Sequence, residues 1–287
     1  MKKLSVVLAV FNEEKNLEAC LASVKEIAEE IVIVDGSSTD QTVAIAKKFG
    51  ARILVTDNPP IFHINKQKAI DMAKNEWILQ LDADERVSPA LAREIMKVIA
   101  MSNEEIDQYQ QSLSKRKLFL KHQKILEERD GRIGTKEGFY AAFFVPRLNY
   151  FLGRYMRYGG VYPDGVIRLI RKGKAYLPCK DVHEQMVVEG WVGWLEHDLY
   201  HIDSPTFSRY LARNKRYIDL LARDLQKNKK NMSLTAPFQY FIFSSLWWFL
   251  LTYFRHKGFR DGWPGLVFSF FSALRFPRAY LKSISKE

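Results

Sequence analysis

The chain has 287 residues, of which 47% are hydrophobic and 13% aromatic, and this composition is enough for a large folded core. Its formal net charge of +11 favours polyanionic partners such as anionic lipid surfaces or phosphorylated substrates. No nucleic-acid-binding signature accompanies that charge, so we expect no nucleic-acid partner. The two cysteines, Cys20 and Cys179, form neither a disulfide framework nor a metal-type cluster, and we interpret both as ordinary apolar residues.

The first part of the chain alternates between strand patterns and helix patterns. The opening segment, MKKLSVVLAV, is predicted to be a buried strand and not a secretion signal, because its apolar stretch is short and acids follow at once. This alternation predicts an α/β fold with a mainly parallel sheet and helices on both faces. Strands are predicted at 4–10, 30–35, 51–56 and 76–84, and helices at 14–28, at about 42–49 and at 64–74.

The second part of the chain divides into a helical, a turn-rich and an apolar region. Residues 88–130 are charged and predicted to be helical, with Ser88 and Pro89 as a helix start. Glycines and aromatic residues predict short strands and turns in 151–201. We therefore predict a catalytic domain over 1–230, with a nucleotide-binding half at about 1–100 and an acceptor half at about 139–205, followed by a C-terminal region at 231–287.

The C-terminal region is apolar and bordered by cations. Residues 231–254 contain no charged side chain, and KNKK precedes them while RHKGFR follows. Positive charge on both flanks favours a helix in the membrane interface, or a shallow hairpin, over a clean crossing. A buried pair of C-terminal helices is the alternative.

Acidic residues follow two of the predicted strands. Asp35 ends the second strand, and Asp82 and Asp84 end the fourth, where alternation would point both side chains the same way. Parallel sheets bind ligands at the carboxyl ends of their strands. Carboxylates buried there need a cation, and oxygen ligands suit Mg²⁺ or Mn²⁺. The alternative is a helix N-terminus decorated with acids.

Three motifs in this order resemble the family 2 inverting glycosyltransferases of the GT-A fold: SVVLAVFNEE, IVIVDGSSTDQT and WILQLDADE. The segments FLGRYMRYGGVYPDGVIRLIRKGKA, VHE and GFRDGWPG extend the resemblance to the subgroup that modifies heptose in lipopolysaccharide core. The resemblance implies a nucleotide-diphosphate-sugar donor, UDP-linked in our prediction, and a divalent cation, Mg²⁺ or Mn²⁺.

The resemblance also implies roles for individual residues. Asp35 would accept a hydrogen bond from the base, Asp82 would contact the ribose and Asp84 the metal. Asn12 and Glu13 would line the nucleotide pocket. Lys66 would face the pyrophosphate, although the stretch Asn65-Lys66-Gln67 departs from the family's pattern at two positions.

An inverting transfer also needs a general base for the acceptor hydroxyl. Glu184 in DVHEQ is the candidate, and Asp181 is the second choice. His183 would bind the metal or position the diphosphate. The alternative for VHE is a strand with alternating polar side chains.

Several further residues have two interpretations each. Arg168 is expected to contact the acceptor or the diphosphate, because a guanidinium forks onto phosphate, whereas a solvated hairpin would make it and Arg171 surface cations. Trp191 and Trp194 could stack on sugars or pack in the core. His197 and His201 would share a face of a helix and could bind zinc, but no third ligand is evident.

Together these features predict a metal-dependent glycosyltransferase that acts on a lipid-linked or lipopolysaccharide glycan. The basic, aromatic C-terminal region predicts a peripheral or monotopic protein on the cytoplasmic face of the inner membrane, held by anionic lipid. A sugar-phosphate nucleotidyltransferase is one alternative, although it would carry a glycine-rich basic loop where this chain has FNEEKN. A non-catalytic membrane-surface scaffold with a degenerate GT-A fold is the other.

Overall fold

The computed structural model describes residues 3–135, 137–180, 185–227 and 235–285. By its internal contacts the chain forms two compact units, residues 1–147 with 163–201 and residues 148–162 with 202–287. The second unit therefore begins well before the boundary that the sequence suggested at residue 230. Its helix at 207–227 packs with the C-terminal helices, which is why it groups with them.

One mixed sheet contains most of the strands. Its order is β3-β2-β1-β4-β8-β6-β12-β5, with β7 and β11 paired to β6. The strands are β1 Leu4–Val10, β2 Glu30–Asp35, β3 Arg52–Val55, β4 Trp77–Leu81, β5 Glu85–Val87, β6 Tyr140–Phe151, β7 Arg154–Tyr155, β8 Asp164–Arg171, β9 Ala175–Tyr176, β10 Val187–Val188, β11 Trp191–Trp194 and β12 Leu199–Ser204.

The parallel part of the sheet holds the four predicted strands. β1 pairs in parallel with β2 and with β4, and β2 pairs with β3. β8 runs antiparallel to β4 and to β6. Since the chain winds outward from β1 to β3 and then returns to β4, the direction of winding changes between β1 and β4, and this is where open α/β sheets bind ligands.

Helices cover both faces of the parallel strands. In the first unit they are α1 Leu17–Val24, α2 Thr42–Lys48, α3 His63–Met72, α4 Pro89–Ala100, α5 Asn103–Ser112 and α6 Arg116–Asp130. The apolar residues of α1, α2 and α4 join one core cluster with Leu8 and Ile33, whereas α3 packs with Val7 and Val34 on the opposite face. The alternating strands and helices predicted for 4–84 are confirmed, and so is the helical region 88–130.

Local signals account for the ends of these helices. The Ser88 hydroxyl accepts a hydrogen bond from the Leu91 N–H, and Pro89 occupies the first turn of α4. Gly50 follows α2 with φ of +70°, a conformation that glycine adopts without strain. The thiol of Cys20 is fully buried in α1, and burial raises its pKa, so it behaves as the apolar residue the sequence indicated.

The second unit contains the C-terminal helices. They are α7 Phe207–Lys227, α8 Ala236–Phe238, a π-helical segment Gln239–Phe243, α9 Ser244–Leu250, a second π-helical segment Leu251–Arg255, a 3₁₀ turn Gly258–Asp261, α10 Gly262–Ala273 and α11 Arg275–Ile284. Tyr240 stacks on Tyr280, and the Arg275 guanidinium lies 4.1 Å from the ring centroid of Trp248. No residue of α9 is buried, whereas α10 buries six residues, so the buried helix pair that the sequence offered as an alternative describes α10 but not α9.

Candidate active site

The acidic motif forms a tight turn directly after β4. The Glu85 N–H donates to the Asp82 carbonyl at 2.9 Å, and the Asp82 N–H donates to Glu85 Oε2 at 3.0 Å. β4 ends at Leu81, so alternation no longer governs the direction of the next side chains. Asp82 and Asp84 consequently have different partners, and the expectation that they point the same way is wrong.

Two cationic side chains from different elements meet the Asp82 carboxylate. Lys66, from α3, forms an ion pair with Oδ1, and Arg168 Nη2, from β8, lies 2.6 Å from Oδ2. Burial by itself would raise the pKa of Asp82, but the charges of Arg168 and Lys66 outweigh it and hold the pKa well below its usual value. Asp82 is therefore ionised, and the protein itself supplies its counter-charges.

Arg168 is a buried residue and not a surface cation. It is 6% exposed, and its guanidinium also donates to Gln80 Oε1 and, at 2.7 Å, to Glu85 Oε1. Burial would lower the pKa of Arg168, yet the neighbouring carboxylates of Asp82 and Glu85 raise it, so the guanidinium stays charged. The solvated-hairpin alternative for this residue is wrong because β8 lies inside the sheet between β4 and β6.

Arg147 and Asp164 extend this network, and no sequence motif pointed to either residue. Arg147 Nη2 lies 2.7 Å from Asp164 Oδ2, and Arg147 Nη1 lies 3.6 Å from Glu85 Oε1. The two residues are register partners of the antiparallel pair β6–β8. Only a known strand register could have revealed that these opposite charges face one another.

Asp84 lies beside His201. Their Oδ2 and Nε2 atoms are 3.5 Å apart, because the antiparallel register of β12 and β5 sets His201 opposite Glu85. His197 is not on a helix with His201; it precedes β12, and its Nδ1 lies 2.8 Å from Glu94 Oε2. The shared-face zinc pair is therefore wrong.

Hydrogen bonds connect the loops that follow β1 and β2, at the carboxyl-end edge of the parallel strands. The Asn12 N–H donates to Ser38 Oγ at 2.8 Å, and Asn12 Oδ1 accepts from the Thr39 N–H at 2.8 Å. The buried Asp35 carboxylate accepts from the Ser38 N–H and hydroxyl at 2.8 and 2.5 Å. The Glu13 N–H donates to Thr42 Oγ1 at 2.8 Å. Asn12, Glu13 and Asp35 thus share one hydrogen-bonded edge.

The remaining sequence candidates lie away from this edge or outside the described residues. Trp194 is 2% exposed and stacks between Phe119 and Phe144 at 4.6 and 4.7 Å, so it packs in the core and offers no face to a sugar. Trp191 meets Tyr140 edge-on at 5.3 Å, and Arg171 lies over the ring of Trp77 at 4.8 Å. Asp181, His183 and Glu184 fall outside the described residues.

The described residues fit a divalent cation that substrate helps to hold. Among them, no group of three or more His, Cys, Asp or Glu side chains is close enough to hold a metal by itself. Asp84 and His201 are a carboxylate and an imidazole within reach of each other. Mg²⁺ commonly binds through one or two carboxylates together with substrate phosphates, and Asp84 can serve in that way.

The chain belongs to glycosyl transferase family 2, because the sequence model of that family matches residues 5–172. The protein is therefore a glycosyltransferase with a GT-A fold, as the sequence motifs indicated, and the nucleotidyltransferase alternative is not supported. It is 28% identical to the lipopolysaccharide core biosynthesis glycosyltransferase LpsC of Rhizobium meliloti, over 95% of this chain and 91% of that protein. It is also 28% identical to an uncharacterized glycosyltransferase of Rickettsia bellii, over 99% of this chain and 87% of that protein.

Part of the chain can be aligned with a solved structure. Glucosyl-3-phosphoglycerate synthase from Mycobacterium tuberculosis, crystallised with Mn²⁺ and UDP-glucose, aligns with a TM-score of 0.30 and 21% identity. The alignment covers 34% of this chain and 39% of the solved one, so it spans only about a third of each protein.

Proposed function

We propose that the protein transfers a sugar from a nucleotide-diphosphate donor, UDP-linked in the first instance, to a lipid-linked or lipopolysaccharide-core glycan with inversion. One observation carries this proposal. Asp82 is held ionised between Lys66 and Arg168 directly after β4, next to the point where the sheet reverses its winding. Parallel sheets bind nucleotides at such a position.

Each described residue at this edge has a part in donor binding. Asp35 accepts from the base, with Asn12 and Glu13 beside it in the loop that follows β1. Asp82 accepts from the ribose, since each carboxylate oxygen has a lone pair beyond the one that a cation occupies. Lys66 is close enough to Asp82 to share its charge with a diphosphate that arrives there.

The transfer itself is a direct displacement by an acceptor hydroxyl at the anomeric carbon. Asp84, with His201 beside it, would hold the divalent cation, which neutralises charge on the departing diphosphate when it is bound. Glu184 would take the proton of the attacking hydroxyl, with Asp181 as the second choice, and His183 would assist at the metal or the diphosphate. These last roles rest on the sequence resemblance.

Calorimetry with donor analogues tests this assignment. We expect UDP to bind the wild-type protein, more tightly when Mn²⁺ is present, and Asp84→Ala to lose the metal-dependent part of the affinity while keeping the rest. Asp71→Ala, which changes a carboxylate on α3 that bonds Gln67, is the matched control and should bind as the wild type does. If UDP-, GDP- and dTDP-sugars all gave no binding heat, a non-catalytic scaffold would be favoured. If Asp84→Ala kept the Mn²⁺-dependent part of the UDP affinity, Asp84 would not be a metal ligand.

We further propose that the second unit binds an anionic membrane surface, at the cytoplasmic face of the inner membrane. This unit carries 17 Lys and Arg against 5 Asp and Glu, a formal charge of +12, whereas the first unit carries 27 against 28. Large apolar side chains of its helices are exposed, among them Phe243 at 61%, Trp247 at 58% and Trp263 at 68%. Cations beside exposed aromatic residues are typical of interfacial helices. Among the residues that the structure describes, no helix is both long and apolar enough to cross a bilayer.

A further inference from the structure

Two segments that are far apart in the sequence meet in the second unit. One is the segment 154–160, which consists of β7 and the loop after it, and the other is the 3₁₀ turn Gly258–Asp261 with the start of α10. Asp261 joins them: its carboxylate accepts from the Arg157 N–H at 3.1 Å and from the Tyr158 N–H at 2.8 Å. Asp261 is 1% exposed, so this joint is a buried and fixed part of the unit.

Arginines surround this joint. Arg154 Nε lies 3.8 Å from Asp261 Oδ1, and Arg154 Nη2 donates to the Arg260 carbonyl at 3.2 Å. Arg260 lies over the ring of Tyr158 at 5.5 Å, and Arg157 lies over the ring of Tyr162 at 5.7 Å. We call Arg154, Arg157 and Arg260 the arginine cluster; all three are exposed residues.

The close packing of this region explains its glycines. A Cβ added to Gly265 would lie 2.0 Å from the Gly258 carbonyl oxygen, and one added to Gly258 would lie 2.8 Å from the Thr252 carbonyl oxygen. The 3₁₀ turn can therefore pack against α10 and against the π-helical segment Leu251–Arg255 only because both residues lack a side chain. This packing fixes the backbone that carries Arg260 and Asp261.

Cationic residues outnumber acidic ones in the two segments that form this joint. Residues 154–160 and 257–263 contain three arginines and Lys257 but one acidic residue, Asp261, whose Oδ1 lies 3.8 Å from Arg154 Nε. Gathering like charges on a rigid backbone costs free energy that a bound anion recovers. Guanidinium groups stacked on tyrosine rings are also preorganised, so they lose less entropy when they fork onto phosphate or carboxylate.

We propose that the arginine cluster binds a phosphate group of an amphiphilic glycan acceptor. Phe259 and Trp263, which flank Arg260 and Asp261, are 48% and 68% exposed, so an apolar surface lies within the same segment as the cations. This combination suits a molecule with an anionic sugar and a lipid part. The inference rests on the proposed function, and it narrows the acceptor to an anionic glycan.

The test compares a soluble phosphorylated core oligosaccharide, freed of its lipid, with the same oligosaccharide after its phosphates have been removed. We expect the full-length protein to bind the phosphorylated form at least about tenfold more tightly, since charge-assisted contacts of this kind are strong. Arg157→Gln and Arg260→Gln should each lose most of that preference. Arg223→Gln, which removes the same charge from an exposed position on α7, is the matched control and should keep it.

Three results would overturn the proposal: equal binding of the two oligosaccharides, an equal loss in Arg223→Gln, or binding to phosphatidylglycerol vesicles that depends on the cluster while neither oligosaccharide binds. The last result would assign the cluster to lipid headgroups. UDP titrations on the same samples separate this proposal from the donor site, because that site lies in the other unit and should be intact in all of these variants.

Discussion

Asp82 receives its counter-charges from α3 and from β8, and Arg168 is the more deeply buried of the two donors. The Arg168 side chain is 8% exposed, and its Nη2 atom lies within 2.7 Å of carboxylate oxygens of both Asp82 and Glu85. A buried carboxylate that loses its cation is strongly destabilised. We therefore propose that Arg168 acts on the proposed donor site through Asp82, as a positioning residue.

Arg168→Met should lower the free energy of unfolding by about 3–5 kcal/mol, because the fully buried Glu85 would lose its nearest cation and the partly exposed Asp82 would lose one of its two. Arg168→Lys keeps a positive charge but loses the fork, so it should be less destabilised and retain more UDP affinity. Urea unfolding and UDP calorimetry measure the two effects. Arg171→Met is the control on the same strand; its partner Glu76 is 48% exposed, so we expect a loss within about 1 kcal/mol. An Arg168→Met protein as stable as the control would contradict this role.

The depressed pKa of Asp82 gives a pH dependence with a defined sign. Its pKa in the folded protein lies well below the usual 3.8, so the ionised form stabilises the fold above that value. This contribution is lost only as the pH falls through the folded pKa. Asp82→Asn should therefore be less stable than the wild type from pH 7 down to about pH 4, and the difference should narrow below that. Urea unfolding of the wild type and Asp82→Asn across this pH range measures the difference in unfolding free energy, with Asp71→Asn as the control. If that difference vanished by pH 6, Asp82 would not be held ionised by Lys66 and Arg168.

Among the elements, α6 and β11 both pack against β8 at Gly165, which has no side chain. The Gly165 N–H donates to His122 Nε2 of α6 at 3.2 Å, and the Trp194 ring of β11 covers the same residue. Burial lowers the pKa of His122, which agrees with a neutral ring that accepts this hydrogen bond. The start of β8, which carries Asp164 and leads to Arg168, is thereby fixed from the side of α6.

Gly165→Ala should be destabilised by about 1–3 kcal/mol, because the new Cβ would lie 2.3 Å from Cη2 of Trp194 and a packed core resists added atoms. The φ of Gly165 is not positive, so the effect tests packing and not backbone strain. Thermal unfolding of Gly165→Ala, Trp194→Phe and the double variant forms a cycle. We expect the double variant to lose less unfolding free energy than the two single variants lose together, since phenylalanine removes the atoms that clash with the new Cβ. Strict additivity would show that the ring is not what limits this position.

At the scale of the whole molecule, the charge is divided between the two units. The second unit has a formal charge of +12, and the first, which contains the proposed donor edge, has a charge of −1. The same second unit exposes a row of large apolar side chains on its C-terminal helices: Phe238, Phe241, Ile242, Phe243, Leu246, Trp247, Leu250 and Phe254. Charge and apolar surface therefore occur in the unit proposed to meet the membrane.

Substitution of this surface should weaken binding to phosphatidylcholine vesicles that contain phosphatidylglycerol. We expect Phe243→Ser with Trp247→Ser to reduce the bound fraction in a sedimentation assay, and salt raised from about 0.1 M to about 1 M to reduce it further by screening the cations. Ile125→Ser, at a 54% exposed apolar position on α6, is the matched control and should bind as the wild type does. Wild-type protein that stays in the supernatant at low salt would contradict the membrane proposal.

Sequence patterns predicted the alternating elements of the first hundred residues and the position of Asp35 and Asp82 at the ends of their strands, because apolar periodicity and strand-end position are local properties of the chain. The family was indicated by the resemblance of three motifs. The contacts of Arg168, Arg147 and Glu85, the separate partners of Asp82 and Asp84, and the joint at Asp261 were decided by the tertiary structure. Each depends on strand register, or on the meeting of segments a hundred residues apart, and neither is written in any short stretch of sequence.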